Sequence, residues 1–194
     1  MKSNKKQIAK IILLIFAALL LAVLGLICLW KYENYDRTED IRKYGQYLGK
    51  DGKYKNNYGL YNDIFPDAID ENSCKVEDFC YYYFNPWDAC YLGYLVYTCD
   101  ETYFELEYSR LKQLDSSQEP YPYGIQSFPF ELCAFYTNQN FGFIYALADK
   151  EQKRFIYVEQ QFCNGFTDID YEKIIDVKYL PEGMDIKAPY EKQE

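Results

Sequence analysis

Apolar positions fall into three different rhythms along this chain. The first is continuous: residues 11–30 read IILLIFAALLLAVLGLICLW, twenty positions without a charge. At about 1.5 Å rise per residue such a helix is about 30 Å long, the thickness of a bilayer's hydrocarbon core. A core helix of a soluble domain keeps a polar face, and this run has none. A cleaved signal peptide has a shorter apolar region, about 7–15 residues, ending in a small-x-small site. The following LICLWKYENYD at 26–36 offers no such site, and bulky Ile27 precedes Cys28 where a lipoprotein signal needs a small side chain. The run therefore reads as a transmembrane anchor. Lys2, Lys5, Lys6 and Lys10 precede it, which favours a cytoplasmic N-terminus. Trp30, Tyr32 and Tyr35 follow at the headgroup level, where amphipathic rings are favoured.

The second rhythm is a helical period. Over 36–48 (DRTEDIRKYGQYL) it places Ile41, Tyr44 and Leu48 on one face of a predicted short helix, weakened by Gly45. It returns at 101–114 (ETYFELEYSRLKQL), with Phe104, Leu111 and Leu114 near one face and Tyr108 beside them. Asp100 can cap that helix, and Thr102 with Glu105 offers an overlapping capping box.

The third rhythm is that of strands dense in β-branched and aromatic residues, predicted at 74–84, 91–98, 131–137, 141–148 and 154–162. NPWDAC and the charged Asp149–Lys153 segment supply hairpin turns between neighbouring strands. A short helix is predicted over 169–176. Residues 49–63 are rich in Gly, Asn and Lys and read as a linker, while 115–130 forms a long loop with three prolines.

These elements give a basic tail at 1–10, a transmembrane helix at 11–30, a juxtamembrane helix and linker at 31–63, a domain at 64–186 and a polar tail at 187–194. The order β-β-α-β-β-β predicts an α+β domain, an antiparallel sheet with one main helix packed on a face. A β-sandwich ranks second, since it would need more strands at regular spacing.

Charge narrows the partners. Residues 31–194 carry 17 of the 21 basic residues and all 30 acidic ones, a net charge of −13. Binding nucleic acid needs clustered Lys and Arg, so no nucleic-acid partner is expected. The 23 tyrosines and 13 phenylalanines argue against disorder. The expected partners are the lipid bilayer, through 11–30, and an unidentified envelope protein or glycan.

Histidine is absent. That removes Ser-His-Asp triads, Cys-His pairs and HExxH zinc sites, and no Gly-rich phosphate loop is present. Carboxylates remain for acid-base chemistry, with Glu77, Asp78, Glu131 and Glu159 as candidates and Glu131 and Glu159 placed for one sheet face. A solvated acidic surface is the leading reading of these side chains. Asp168, Asp170 and Glu172 have a Ca²⁺-like spacing without the Gly and distal Glu of an EF-hand, so a polar turn is expected there. No catalytic, cofactor-binding or metal-binding residue is assigned.

Besides Cys28, six cysteines lie at 74, 80, 90, 99, 133 and 163, with no C-x-x-C spacing. An even count outside a membrane suggests disulfides, while buried free thiols are equally common. Both readings stay open. If the first hairpin turns about 87–88, position 76 pairs with 99 and 74 with 101, which makes Cys74 and Cys99 the best single candidates for a bridge. In the proline-rich loop, Tyr121, Tyr123, Phe128 and Phe130 are candidates for a partner-binding surface, because proline lowers the ordering cost of presenting rings. The alternative is that they cover the core.

DIFPDAID at 63–70, YYYFNPWDACYLGYLVYTCD at 81–100, EYSRLKQL at 107–114 and FGFIYALADKEQKRFIYV at 141–158 resemble an uncharacterised family of small, N-terminally membrane-anchored proteins of low-GC Gram-positive bacteria. The resemblance implies the anchored layout and supplies no active site. The expectation is a single-pass plasma-membrane protein with an extracytoplasmic domain of unknown function. A non-catalytic binding or protein-interaction module at the cell envelope leads. The alternative is a carboxylate-dependent hydrolase acting on cell-wall glycan.

Overall fold

Strand-forming sequence dominates from residue 74 onward, and it builds one sheet. The computed structural model describes residues 2–53, 63–85, 87–117, 121–138, 142–162 and 169–186. The chain divides into two units, Met1–Asp36 and Arg37–Glu194. Most of the linker expected at 49–63, the polar tail at 187–194, Cys163 and Asp168 lie outside the described residues.

The first unit is helix α1 (Lys2–Asn34). Its segment Gln7–Lys31 has a mean hydropathy of 3.3 and buries nothing within the protein. Leu13, Leu21 and Leu26 are each more than 60% exposed. An apolar surface of this extent is a liability in water, and the helix is long and apolar enough to cross a membrane.

The second unit holds a six-stranded sheet of β1 (Tyr35–Thr38, beginning at the junction), β2 (Cys74–Phe84), β3 (Cys90–Cys99), β4 (Glu131–Asn138), β5 (Gly142–Asp149) and β6 (Arg154–Gln161). Their order is β1-β2-β3-β6-β5-β4. The pairs β2–β3, β3–β6, β5–β6 and β4–β5 are antiparallel. The α+β class and both hairpins agree with the sequence. The sixth strand is new.

It arises where a helix was predicted. Residues 36–48 instead give the edge strand β1, a 3-10 turn at Ile41–Lys43 and the single-turn α2 (Tyr44–Tyr47). Asp40 caps the 3-10 turn, its side chain accepting from the Arg42 backbone N–H at 3.2 Å. Starting the helical turns after residue 40 leaves the strand-compatible YDRT free to extend. The apolar face survives, since Tyr44 and Leu48 are buried and Ile41 packs against the same core. The domain therefore starts at Arg37 rather than near Ile64.

Both faces of the sheet are covered. On the first, Tyr81, Leu95, Tyr97, Ala146, Phe155 and Tyr157 meet helix α3 (Glu101–Lys112), α2 and the segment at 63–69. Asp100 caps α3, accepting from the Tyr103 N–H at 2.9 Å. Phe104 of α3 stacks on Phe155 with ring centroids 4.8 Å apart. On the second face, Tyr94, Val96, Phe143, Tyr145, Ile156 and Val158 lie under the loop at 121–130 and the segment 169–186. Coverage on both sides explains why β5 is buried at every position: such strands lose the apolar–polar alternation of a one-sided sheet. The helix predicted at 169–176 is replaced by two 3-10 turns, Tyr171–Lys173 and Val177–Tyr179.

The aromatic loop expected to bind a partner is corrected here. Tyr123 is only 2% exposed, and Tyr121, Phe128 and Phe130 pack against the second core. Tyr121 meets Phe128 and Phe135 edge-on at 5.3 Å each. Among the described residues that face carries no α-helix, and these rings together with the segment 169–186 remove its apolar side chains from water.

Candidate functional site

The richest chemistry lies inside the first face. Helix α3 presents Phe104, Glu107 and Leu111 to the sheet, so one carboxylate goes in with two apolar side chains. Such a charge must be paired. Arg110, one turn on, forms two bonds to Glu107, Nε to Oε2 and Nη2 to Oε1, both 2.7 Å. The same guanidinium donates to the carbonyls of Asp63 at 2.6 Å and Ile64 at 2.8 Å. It thereby fixes the strap that carries buried Ile64 and Phe65. Burial alone would push the Arg110 guanidinium down, but the Glu107 carboxylate outweighs it and holds it above its usual value.

From Glu107 a chain of hydroxyls runs across the sheet. Tyr157 donates to Glu107 Oε1 at 2.6 Å. An ionised carboxylate only accepts, so the Tyr157 hydrogen is committed. The Tyr97–Tyr157 contact of 2.9 Å must then have Tyr97 as donor. Their rings stack, 5.7 Å apart and 21° from parallel. Tyr103 meets Tyr97 edge-on, ring centroids 6.2 Å apart, and packs with Cys74 against the same core. Burial raises the ionisation of Tyr97, Tyr103 and Tyr157 well above the usual tyrosine value. All three are neutral donors at physiological pH.

The Cys74 end of this seam is a cysteine pair. Cys74 and Cys99 are direct partners in the β2–β3 ladder. The turn pairs Phe84 with Cys90, one position from the expected register, and a bulge between Val76 and Asp78 adds the second, which brings the two cysteines opposite each other. Both thiols are free. Burial pushes Cys74 up to about 11 and Cys99 up to about 12.

Two recesses flank the strap at 63–71. One, of about 380 Å³, is lined by Asp63, Pro66, Asp67, Tyr103, Glu107 and Arg110. The other, of about 430 Å³, is lined by Ile41, Tyr44, Asp67, Ile69, Cys74 and Val76. Asp67 and Ala68 border both, so Cys74 and Glu107 are reached from opposite sides of one ridge.

The carboxylates singled out from sequence do not converge. Glu131 and Glu159 pair with Ala148 and Ile144 on β5, which puts both on the first face. They are four residues apart along the strands and two strands apart across them, about 16 Å. Two-carboxylate glycoside hydrolysis needs about 5–9.5 Å. Glu131 is held instead by Lys150 at 2.7 Å and Lys112 at 3.1 Å, and the Tyr108 hydroxyl also donates to it. Glu159 is fully buried and accepts from the Gln161 side-chain amide. Glu77 pairs with Arg154 at 2.7 Å. Asp78 accepts from the Phe79 backbone N–H at 2.8 Å, and burial raises its carboxyl. Asp170 pairs with Lys173 at 2.7 Å. Among the described residues no group of three His, Cys, Asp or Glu side chains is arranged to hold a metal.

Sequence reading missed Glu107, Arg110 and the tyrosine seam. The signal was present: Phe104, Glu107 and Leu111 are spaced i, i+3, i+7, so any helix that buries the outer two also buries the carboxylate between them. Comparison of the chain with protein families, with curated proteins and with solved structures found no match, so function is argued from the residues themselves.

Proposed function

We propose that this chain is a single-pass envelope protein whose N-terminus is cytoplasmic and whose second unit is an extracytoplasmic, non-catalytic interaction module. The observation that carries the anchoring is the apolar segment Gln7–Lys31, unburied along its whole length. Orientation is supported by the lysines before the span and the net acidity after it. The ion pairs of the domain favour an interaction role over catalysis. Glu107, Glu131 and Glu77 are each tied to Arg or Lys, whereas general acids and bases need unmatched environments that tune them toward neutrality. Trp87, in the β2–β3 turn, is 94% exposed. Exposed tryptophan is a common anchor of protein interfaces.

Protease added to intact spheroplasts is expected to digest the domain and leave a membrane-embedded stub. Full protection overturns the orientation, and recovery of the domain from the medium overturns the anchor. For the interaction itself, Trp87→Ala is expected to abolish crosslinking of the membrane-bound protein to its partner while leaving thermal unfolding unchanged. Crosslinking that survives the substitution removes Trp87 from the interface.

A further inference from the structure

We infer that Cys74 and Cys99 close a disulfide across the β2–β3 ladder, at the end of the hairpin remote from its turn. The backbone carries the argument. The two residues are ladder partners. The Cys99 N–H donates to the Lys153 carbonyl at 3.0 Å, towards β6, and the neighbouring Asp100 N–H donates to Ser73 O at 3.0 Å, towards β2. In an antiparallel ladder hydrogen-bonded and non-hydrogen-bonded pairs alternate. The Cys74 N–H also donates away from Cys99, to Asp70 O at 2.8 Å, so the bond from Asp100 to Ser73 flanks the two cysteines and they form the non-hydrogen-bonded kind. Their Cα atoms are then about 4.5 Å apart, inside the roughly 4.4–6.8 Å range of disulfides.

The other described cysteines of this unit are out of reach. Cys80 and Cys90 both belong to the second core. They pair with Tyr94 and Phe84 respectively, which separates them by four residues along adjacent strands, about 13 Å. Cys133 shares the face of Cys74 and Cys99 but sits on β4, three strands from β3, about 14 Å away.

Cys74 lines the 430 Å³ recess, so it is the sulfur a soluble disulfide meets first. Its thiolate attacks one sulfur of that disulfide. The S–S bond breaks, and the departing thiolate takes up the proton Cys74 lost. The Cys99 thiolate then attacks the Cys74 sulfur of the mixed disulfide and expels the second thiol. Two protein thiols are oxidised and one external disulfide is reduced. The reactive species is the thiolate, so closure accelerates as pH rises through the alkaline range.

The geometry does not depend on where the domain resides; only occupancy of the bridge in cells rests on the outward orientation proposed above. The test equilibrates the full-length protein in detergent with oxidised and reduced glutathione at mildly alkaline pH, then quenches, alkylates and digests it. The expected result is a linked peptide pair containing Cys74 and Cys99, lost in Cys99→Ser and retained in Cys80→Ser. Alkylation of both residues in the wild-type protein, or linkage of Cys74 to a different cysteine, overturns the inference. A bridge that forms with glutathione but is missing from acid-trapped cell membranes counts against the outward orientation and leaves the bridge itself standing.

Discussion

Tyr157 on β6 and Glu107 on α3 share a 2.6 Å hydrogen bond in which the phenol donates to the carboxylate. That bond joins helix to sheet at a point where Tyr157 is fully buried and Glu107 nearly so. It also sets the direction of the hydroxyl chain behind it, because a committed Tyr157 can only accept from Tyr97.

Tyr157→Phe removes one donor from Glu107 and the acceptor of Tyr97 together. Arg110 keeps the carboxylate paired, so the loss is expected to be about 1–3 kcal/mol, the cost of a buried group left unsatisfied. Arg110→Ala should cost more, about 3–5 kcal/mol, because it strands a buried charge. Urea unfolding of the two variants measures the order, and an equal or reversed ranking contradicts the pairing described.

Acid stability should report Glu131. Its carboxyl is lowered from 4.5 to about 2, first by Lys150, then by the Tyr108 hydroxyl and Lys112. A depressed folded-state value contributes stability above the unfolded value and loses it as pH falls. The contribution is therefore complete above about pH 4.5 and fades towards pH 2. Partial exposure keeps it small. In Glu131→Gln, stability at pH 7 should drop slightly and the slope between pH 4.5 and 2 should flatten. An unchanged slope would assign the acid transition to other groups.

Tyr123→Ala tests the role of the proline-rich loop. Tyr123 packs on Phe143 at 5.6 Å and Phe162 at 6.2 Å, and truncating a buried aromatic costs about 3–5 kcal/mol. A large fall in the thermal midpoint is expected. Retained stability would return these rings to the surface as binding candidates.

Hairpins and the α3 helix were legible because their signals are local: turn residues at 85–88 and 149–153, strand formers between, and Asp100 as a cap. The edge strand β1 was not, because YDRT has no pattern of its own and extends only through pairing with β2. The bulge at Val76–Asp78 was equally hidden, since two residues facing one leaves no mark on a period-two sequence, yet it decides which residue faces Cys99. Coverage of the second face by the proline-rich loop stayed one of two open readings for a related reason. Aromatic rings among prolines look alike whether they face solvent or a neighbouring sheet.

The sheet order makes folding a matter of waiting. Hairpins such as β2–β3 and β5–β6 close from local contacts, on a timescale of about 1–10 μs. The central β3–β6 pairing must join segments separated by α3, the loop after it and two further strands, and non-local pairings of this kind are slow. During synthesis β3 emerges first, so YLGYLVYT, uncharged and free of proline, stands as an open edge until β6 arrives. Open apolar edges are templates for self-association. Neighbouring copies confined to a two-dimensional surface would meet at that edge more often than in solution, so unfinished chains should cross-associate through β3. Incomplete chains ending before residue 154 are therefore the forms expected to aggregate, and a charge placed on β3 of such a fragment should keep it soluble.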